Sequence, residues 1–387
     1  MKTKAFQVKK SYNSLTLPII ATLAMSSAVA NAATTFDLTN LVSDNPSVNA
    51  KVTDPNLVNA WGISFSPTSA FWISDNSKGV STIYNVNPAT NATTKVGLTV
   101  TIPGAGSVTG QVFNSNASAA NGNTVGFNGD PFLFVSEDGT VSGWRGALGT
   151  TAETFAPASN AIYKGVAEAS VGGHGYLYAA NFHSGAIDVI NGDAAAPALS
   201  GNFTDPNLPS GYAPFNIQDL NGKLYVTYAQ QTPGSGDETA GPGLGYVSVY
   251  DLQGNFLERI ASQGSLDAPW GLAIAPSSFG EYAGDLLVGN FGDGTINAFN
   301  LITHSFIGQL MGSNGKPLSI DGLWGLSIGN NGGAGSSQTL YFTAGPNGEA
   351  NGLFGAVSAV PLPPAIWLFG SALVGVRLLG KRLDSEV

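Results

Sequence analysis

The residues best suited to chemistry sit at matched places along this sequence. Asp75-Asn76, Glu137-Asp138, Asn181-Phe182-His183 and Asn290-Phe291-Gly292-Asp293 each follow a short apolar run, while Asn59, Asp267 and Asp321 stand just ahead of others. Oxygen-rich side chains gathered around one opening suit a hard cation such as Ca2+, which takes six to eight oxygens at about 2.3–2.6 Å. Asp75, Asp293 and Asp321 are the expected ligands. The same acids could activate water for hydrolysis. Trp61, Asn76, Asn181, His183, Trp270, Asn290 and Trp324 are the residues expected to meet an organic ligand. The plainer reading is that Asn, Asp and Gly make tight turns and the tryptophans fill a core. His174 and His304 fall in polar connections, and no G-x-S-x-G elbow is present.

These residues need strands to position them. Asn59-Ala60-Trp61-Gly62-Ile63-Ser64-Phe65, Ala268-Pro269-Trp270-Gly271-Leu272-Ala273-Ile274 and Leu323-Trp324-Gly325-Leu326-Ser327-Ile328 are copies of one strand. A second strand follows each, as in Phe71-Trp72-Ile73-Ser74-Asp75, and then a Gly-rich turn and a third. Weaker copies include Phe132–Val141, Tyr176–Val189 and Lys223–Tyr228, the last resumed at Gly245 after a Gly/Pro-rich insertion over 231–243 that reads as a loop across the channel mouth. Second strands end near 75, 137, 181, 228, 290 and 343. Short β-branched and aromatic runs, a mean spacing of about 54 and no long helical period predict an all-β, six-bladed β-propeller over residues 33–358. A two-sheet sandwich is the rival. Thr34–Leu38 precedes the first full unit and is expected to complete the last blade, closing the ring.

Composition narrows the partners. The chain has 387 residues, 10% of them charged, 51 glycines, no cysteine and a net charge of −10. Without thiols there is no disulfide, thiolate metal site or cysteine nucleophile. The acidic balance argues against nucleic acid or an anionic membrane surface as partner.

The ends read as addresses. Lys2, Lys4, Lys9 and Lys10 precede an apolar run, Leu15–Met25, and then Ala30-Asn31-Ala32. That order predicts a signal peptide over 1–32, cut between Ala32 and Ala33 by signal peptidase. Residues 359–387 hold Pro361-Leu362-Pro363, then an apolar stretch containing Trp367 and Phe369, then Arg377, Lys381 and Arg382. The uninterrupted apolar part, 365–376, is 12 residues, short of the roughly 20 of a comfortable span. Arg377 can snorkel toward Lys381 and Arg382, which gives a C-terminal transmembrane helix that holds the chain in the inner membrane at least transiently.

Two resemblances follow from these residues. The proline motif, apolar segment and Lys381-Arg382 resemble the PEP-CTERM sorting signal, although Leu362 stands where that family usually has Glu and five residues trail the basic cluster. The resemblance implies processing near Pro361–Pro363 by an exosortase-like enzyme. Leu41-Val42-Ser43-Asp44, Asp54–Gly62 and Phe71–Asn76 resemble the opening of an uncharacterised family of exported bacterial propellers that are NHL-like. That resemblance covers roughly 36–358 and brings no established catalytic residue. Together they imply an exported, non-enzymatic binding protein at the cell surface or in extracellular matrix, whose partner is an exopolysaccharide or a surface protein. A metal-dependent, lactonase-like hydrolase and a purely structural matrix component are the alternatives.

Overall fold

The computed structural model describes residues 34–118 and 123–360. The expected signal peptide with its Ala32–Ala33 junction, and the tail with Pro361, Leu362, Pro363, Trp367, Phe369, Arg377, Lys381 and Arg382, lie outside the described residues.

Six antiparallel sheets form the six blades. From axis to rim, blade one runs Ala60–Ser64, Phe71–Asp75, Val80–Val86, Thr93–Thr101, and blade two Val108–Phe113, Phe132–Ser136, Val141–Trp144, Glu153–Ala156. Blade three has Tyr163–Val171, His174–Asn181 and Ala186–Asn191; blade four has Tyr212–Leu220, Lys223–Gln231, Tyr246–Tyr250 and Phe256–Ser262. Blade five runs Pro269–Ile274, Leu286–Asn290, Ile296–Phe299, Phe306–Gln309. Blade six takes Leu323–Ile328, Leu340–Ala344 and Leu353–Ala359, and its outer strand is Thr35–Ser43 from the other end of the chain. The innermost strands touch in sequence, and that of blade six touches that of blade one, so the ring is closed.

The pattern of burial follows from this stacking. A middle strand has a neighbouring blade on both faces, so Phe132–Ser136, Leu286–Asn290 and Leu340–Ala344 are buried at every position rather than at alternate ones. Outer strands such as Phe306–Gln309 face solvent. The Trp-Gly pairs have a similar cause. A Cβ at Gly62 would lie 2.5 Å from the Thr109 carbonyl oxygen, and one at Gly271 would lie 2.6 Å from that of Trp324. Neighbouring inner strands approach too closely near the axis for a side chain there.

The N-terminal strand closes the last blade as expected: Phe36 through Ser43 pair antiparallel with Ala359 through Leu353. Phe36 is fully buried, with its ring 4.8 Å from that of Phe279. The last strand ends at Ala359, and the Val360 N–H donates to the Thr35 carbonyl at 2.8 Å, so the propeller extends slightly past the expected boundary at 358. Blade three has no fourth strand among the described residues. After Asn191 the chain turns to blade four instead, where the Gly201 and Phe203 N–H groups donate to the Gln253 and Gly254 carbonyls at 2.8 and 2.9 Å.

Candidate functional site

One hydrogen bond recurs in all six blades. The N–H at the end of the second strand donates to the carbonyl just before the inner strand: Asn76 to Asn59, Glu137 to Ser107, Phe182 to Ile162, Gln231 to Gly211, Phe291 to Ala268 and Gly345 to Gly322, at 2.8–3.1 Å. It ties each turn to the start of the inner strand, so these twelve positions share one end of the propeller, the mouth.

The mouth carries a continuous polar chain across four blades, six, one, two and three. The Trp324 indole N–H donates to Asn59 Oδ1 at 3.0 Å, and Asn59 Nδ2 donates to Asn76 Oδ1 at 3.3 Å and Glu349 Oε2 at 3.1 Å. Asn76 Nδ2 donates in turn to Glu137 Oε2 at 3.3 Å, and Lys164 Nζ to Glu137 Oε1 at 2.6 Å. Lys164 is 2% exposed, lies 5.3 Å over the Trp61 ring and 5.9 Å over that of Phe182, and has Asp237 Oδ1 at 3.8 Å. The 231–243 insertion brings Asp237 and Glu238 here, Glu238–Thr239 pairing with Gln230 and Gln231.

The electrostatics of the mouth are those of carboxylates around one ammonium. Burial pushes the Lys164 ammonium down, but the charges of Glu137, Glu238 and Asp237 outweigh it and hold the group above the ordinary lysine range. Burial raises the Glu349 carboxyl to about 7, aided by the fields of Glu238 and Glu137. Burial likewise raises Glu238, with Lys164 opposing.

Beneath this chain lies an aromatic plug. Trp324 is stacked between Trp61, 3.8 Å between centroids, and Phe291, 4.1 Å, while Trp270 meets its edge at 6.0 Å. Trp270 also donates its indole N–H to the Lys164 carbonyl at 3.2 Å.

On the other side of the plug is an axial chamber of about 460 Å3. Its wall comes largely from the C-terminal halves of the inner strands, with Ser64, Glu168, Asn216, Asp219 and Ser327 among its polar groups and Trp270 beside apolar Ile217 and Leu326. Glu168 is 6% exposed, and its oxygens accept from the Ser115 N–H at 2.9 Å and hydroxyl at 3.3 Å. Burial raises its carboxyl to about 7; the Ser115 bonds oppose this and the charge of Asp219 adds to it. Burial raises Asp219 too.

The residues expected from sequence divide clearly. Trp61, Trp270 and Trp324 meet in the plug, and Asn76 belongs to the mouth chain. Asn181 closes its own turn, accepting from the Ser184 N–H at 3.2 Å and donating to Asp188 at 2.8 Å. Asn290 donates to the Ser265 carbonyl at 2.8 Å and to Asp293 at 3.1 Å. His183 is exposed beside a smaller cavity of about 410 Å3 under residues 231–236.

The three acids expected to share a cation are not brought together. Asp75 is fully buried on the sheet face that carries Phe71, Ile73 and Tyr84, and burial raises its carboxyl well above the usual range. Asp293 accepts from the Thr295 N–H at 2.9 Å and hydroxyl at 2.8 Å in a turn of blade five. Asp321, exposed in blade six, accepts from the Asn347 N–H at 2.8 Å. Among the described residues no three of His, Asp and Glu are grouped to hold a metal ion. The ammonium of Lys164 stands at the end of the propeller where the oxygen-rich turns lie.

Lys164, Glu168, Asp219, Glu238 and Glu349 were not legible as site residues. The signal was there for two of them: in a chain with so few charges, Tyr163-Lys164-Gly165-Val166-Ala167-Glu168 sets two charged residues inside an otherwise uncharged strand.

No family model matches the chain. Uncharacterised protein R648 of Acanthamoeba polyphaga mimivirus is 30% identical over 348 residues, covering 84% of this chain and 81% of that protein. A second uncharacterised protein of the same virus is 28% identical over 343 residues, covering 82% and 84%. Among solved structures, an α-L-arabinofuranosidase of Fusarium graminearum matches with a TM-score of 0.49 at 11% identity, covering 84% of this chain and 98% of that one.

Proposed function

We propose that this chain, which belongs to one family with the mimivirus protein R648, is an exported, non-enzymatic propeller that binds a small polar ligand in its axial chamber. The chamber carries the reading. Its volume falls within the roughly 300–1,000 Å3 of small-molecule sites, and it combines apolar walls with a few convergent polar groups. Binding is favoured over metal-dependent hydrolysis because the described residues offer no donor set for a metal. Asn181, Asn290 and Asp293 are engaged in holding their turns. A thermal-shift screen of polar metabolites is expected to find compounds that raise the melting temperature of the wild type and have no effect on Ser327→Trp, whose indole would fill the chamber. Compounds that stabilise both proteins equally, or turnover of lactones or phosphoesters by the purified protein, would overturn the reading.

Export is proposed from the order of basic, apolar and small residues over 1–32, and surface or matrix delivery from the PEP-CTERM-like tail. The propeller's own boundaries are compatible with both cuts: its first strand begins at Thr35 and its last ends at Ala359. Mass spectrometry of the mature protein is expected to give Ala33 as the first residue and a last residue near Pro361–Pro363. An intact tail in the membrane fraction would refute the processing. An exopolysaccharide or a surface protein is the proposed partner at that destination.

A further inference from the structure

We propose that the ligand of the axial chamber is a small organic ammonium ion, an alkylamine or diamine; this rests on the chamber being the binding site. Glu168 and Asp219 both line the chamber, and neither makes an ion pair among the described residues. No Lys, Arg or His stands in the chamber wall. A nearly buried carboxylate without a cation is costly, and a bound ammonium would compensate it.

A second observation points the same way. Ser64 lines the chamber, is 8% exposed, and its hydroxyl has no hydrogen-bond partner. Meanwhile two of the three amides in the wall are already occupied, Gln218 being the third. Gln111 donates to the Gly62 and Trp72 carbonyls and accepts from Ser81 at 3.0 Å, and Asn216 donates to the Trp270 carbonyl at 2.8 Å. Carboxylate and hydroxyl oxygens dominate what is left, which suits a ligand rich in N–H donors. Ile63, Val112 and Leu252 line the chamber and are partly exposed, which gives the apolar surface an alkyl chain needs.

The test is isothermal titration of the full propeller with putrescine, using 1,4-butanediol as the uncharged probe of similar length. The titratable groups whose fields reach Glu168 are Asp219 and Tyr178, and Glu168 itself is raised to about 7. Its ionised form binds a cation, so affinity is expected to rise about tenfold from pH 6 to pH 8. Glu168→Gln, which keeps one oxygen for the Ser115 N–H, is expected to weaken putrescine at least tenfold at pH 8 and to flatten the pH profile; Asp219→Asn should weaken it without flattening. Equal binding of butanediol, or a Glu168→Gln protein that binds putrescine normally, would overturn the inference. Neutral ligands that bind the wild type but not Ser327→Trp, with putrescine inert, would sink the ammonium and leave the chamber standing. Failure of every compound would sink both.

Discussion

Lys164→Met is expected to lower the stability of the propeller by about 3–5 kcal/mol at pH 8 and by much less at pH 5. The methionine would fit the space over Trp61 and Phe182, which is apolar. It removes the cation that faces Glu137, Glu238 and Glu349. Leaving one half of a buried pair behind is far more harmful than replacing both halves, because the remaining charge keeps its desolvation penalty. The pH dependence follows from the direction of the carboxyl shifts. Glu349 is raised to about 7 and Glu238 is raised as well, each by burial first. A carboxyl whose pKa is higher folded than unfolded binds more protons when folded, so stability falls as pH climbs from its unfolded value to its folded one. Without the ammonium both carboxyls move further up, and the fall becomes steeper and extends past neutrality. Urea unfolding at the two pH values reads this directly. A loss of equal size at pH 5 and pH 8 would show that Lys164 acts through packing alone. Lys164→Met combined with Glu137→Gln should recover part of the loss, since the two residues share the 2.6 Å contact.

The same contact shows what the mouth holds among its acids. Acid-bearing turns at one end of a propeller do converge, and the recurring turn-to-strand hydrogen bond is the reason. What fills the convergence was decided elsewhere, by a lysine one residue into the inner strand of blade three and by an insertion in blade four. An ammonium attached to the chain needs no geometry of six or more oxygens, only a few carboxylates within reach and an aromatic floor.

Blade number and strand ends were legible because each depends on neighbours close in sequence, and ring closure, which pairs Phe36 with Ala359, because Thr34–Leu38 stood ahead of the first unit as a strand without a unit of its own. The end of a second strand is written in an apolar run followed by Asp, Asn or Gly, and Asp75, Asn181 and Asn290 fall where that pattern puts them. The exception, the missing outer strand of blade three, lies where residues 192–211 bond to the Gln253-Gly254 turn instead, a choice no local pattern encodes. The candidate site was less legible for the same reason carried further. Asn59 meets Glu349 across 290 positions and Trp324 across 265, and Lys164 meets Glu238 only because the insertion folds inward. The chamber is a product of ring closure itself and has no motif. Its trace is a glutamate whose nearest sequence neighbours, Val166, Ala167, Ala169 and Ser170, are apolar or small.

Trp324 is where fold and site depend on the same side chain, and Trp324→Ala is expected to cost about 3–5 kcal/mol. Its ring is fully buried and stacked on both faces, by Trp61 and by Phe291, with Trp270 and Phe215 at its edges. Alanine would leave a cavity on the axis, where the wall is made by several different blades. Each wall strand is pinned to a neighbour: Thr343 donates to the Trp61 carbonyl and Thr109 to that of Tyr163 at 2.6 Å. Such a wall cannot collapse without breaking those bonds, so the upper end of the range is expected. The substitution also removes the donor held by Asn59 Oδ1. Asn59 then has no fixed orientation from below, and the amide that donates to Glu349 and Asn76 is freed with it. Trp324→Phe reduces the cavity but not to zero. It keeps an aromatic ring between Trp61 and Phe291 while losing the indole N–H and the second ring of the indole, so it should cost about 2–3 kcal/mol. If the Phe variant proved as unstable as the Ala variant, the plug would owe its stability to the Asn59 bond. Near-wild-type stability for both would mean that the blades hold the axis without it.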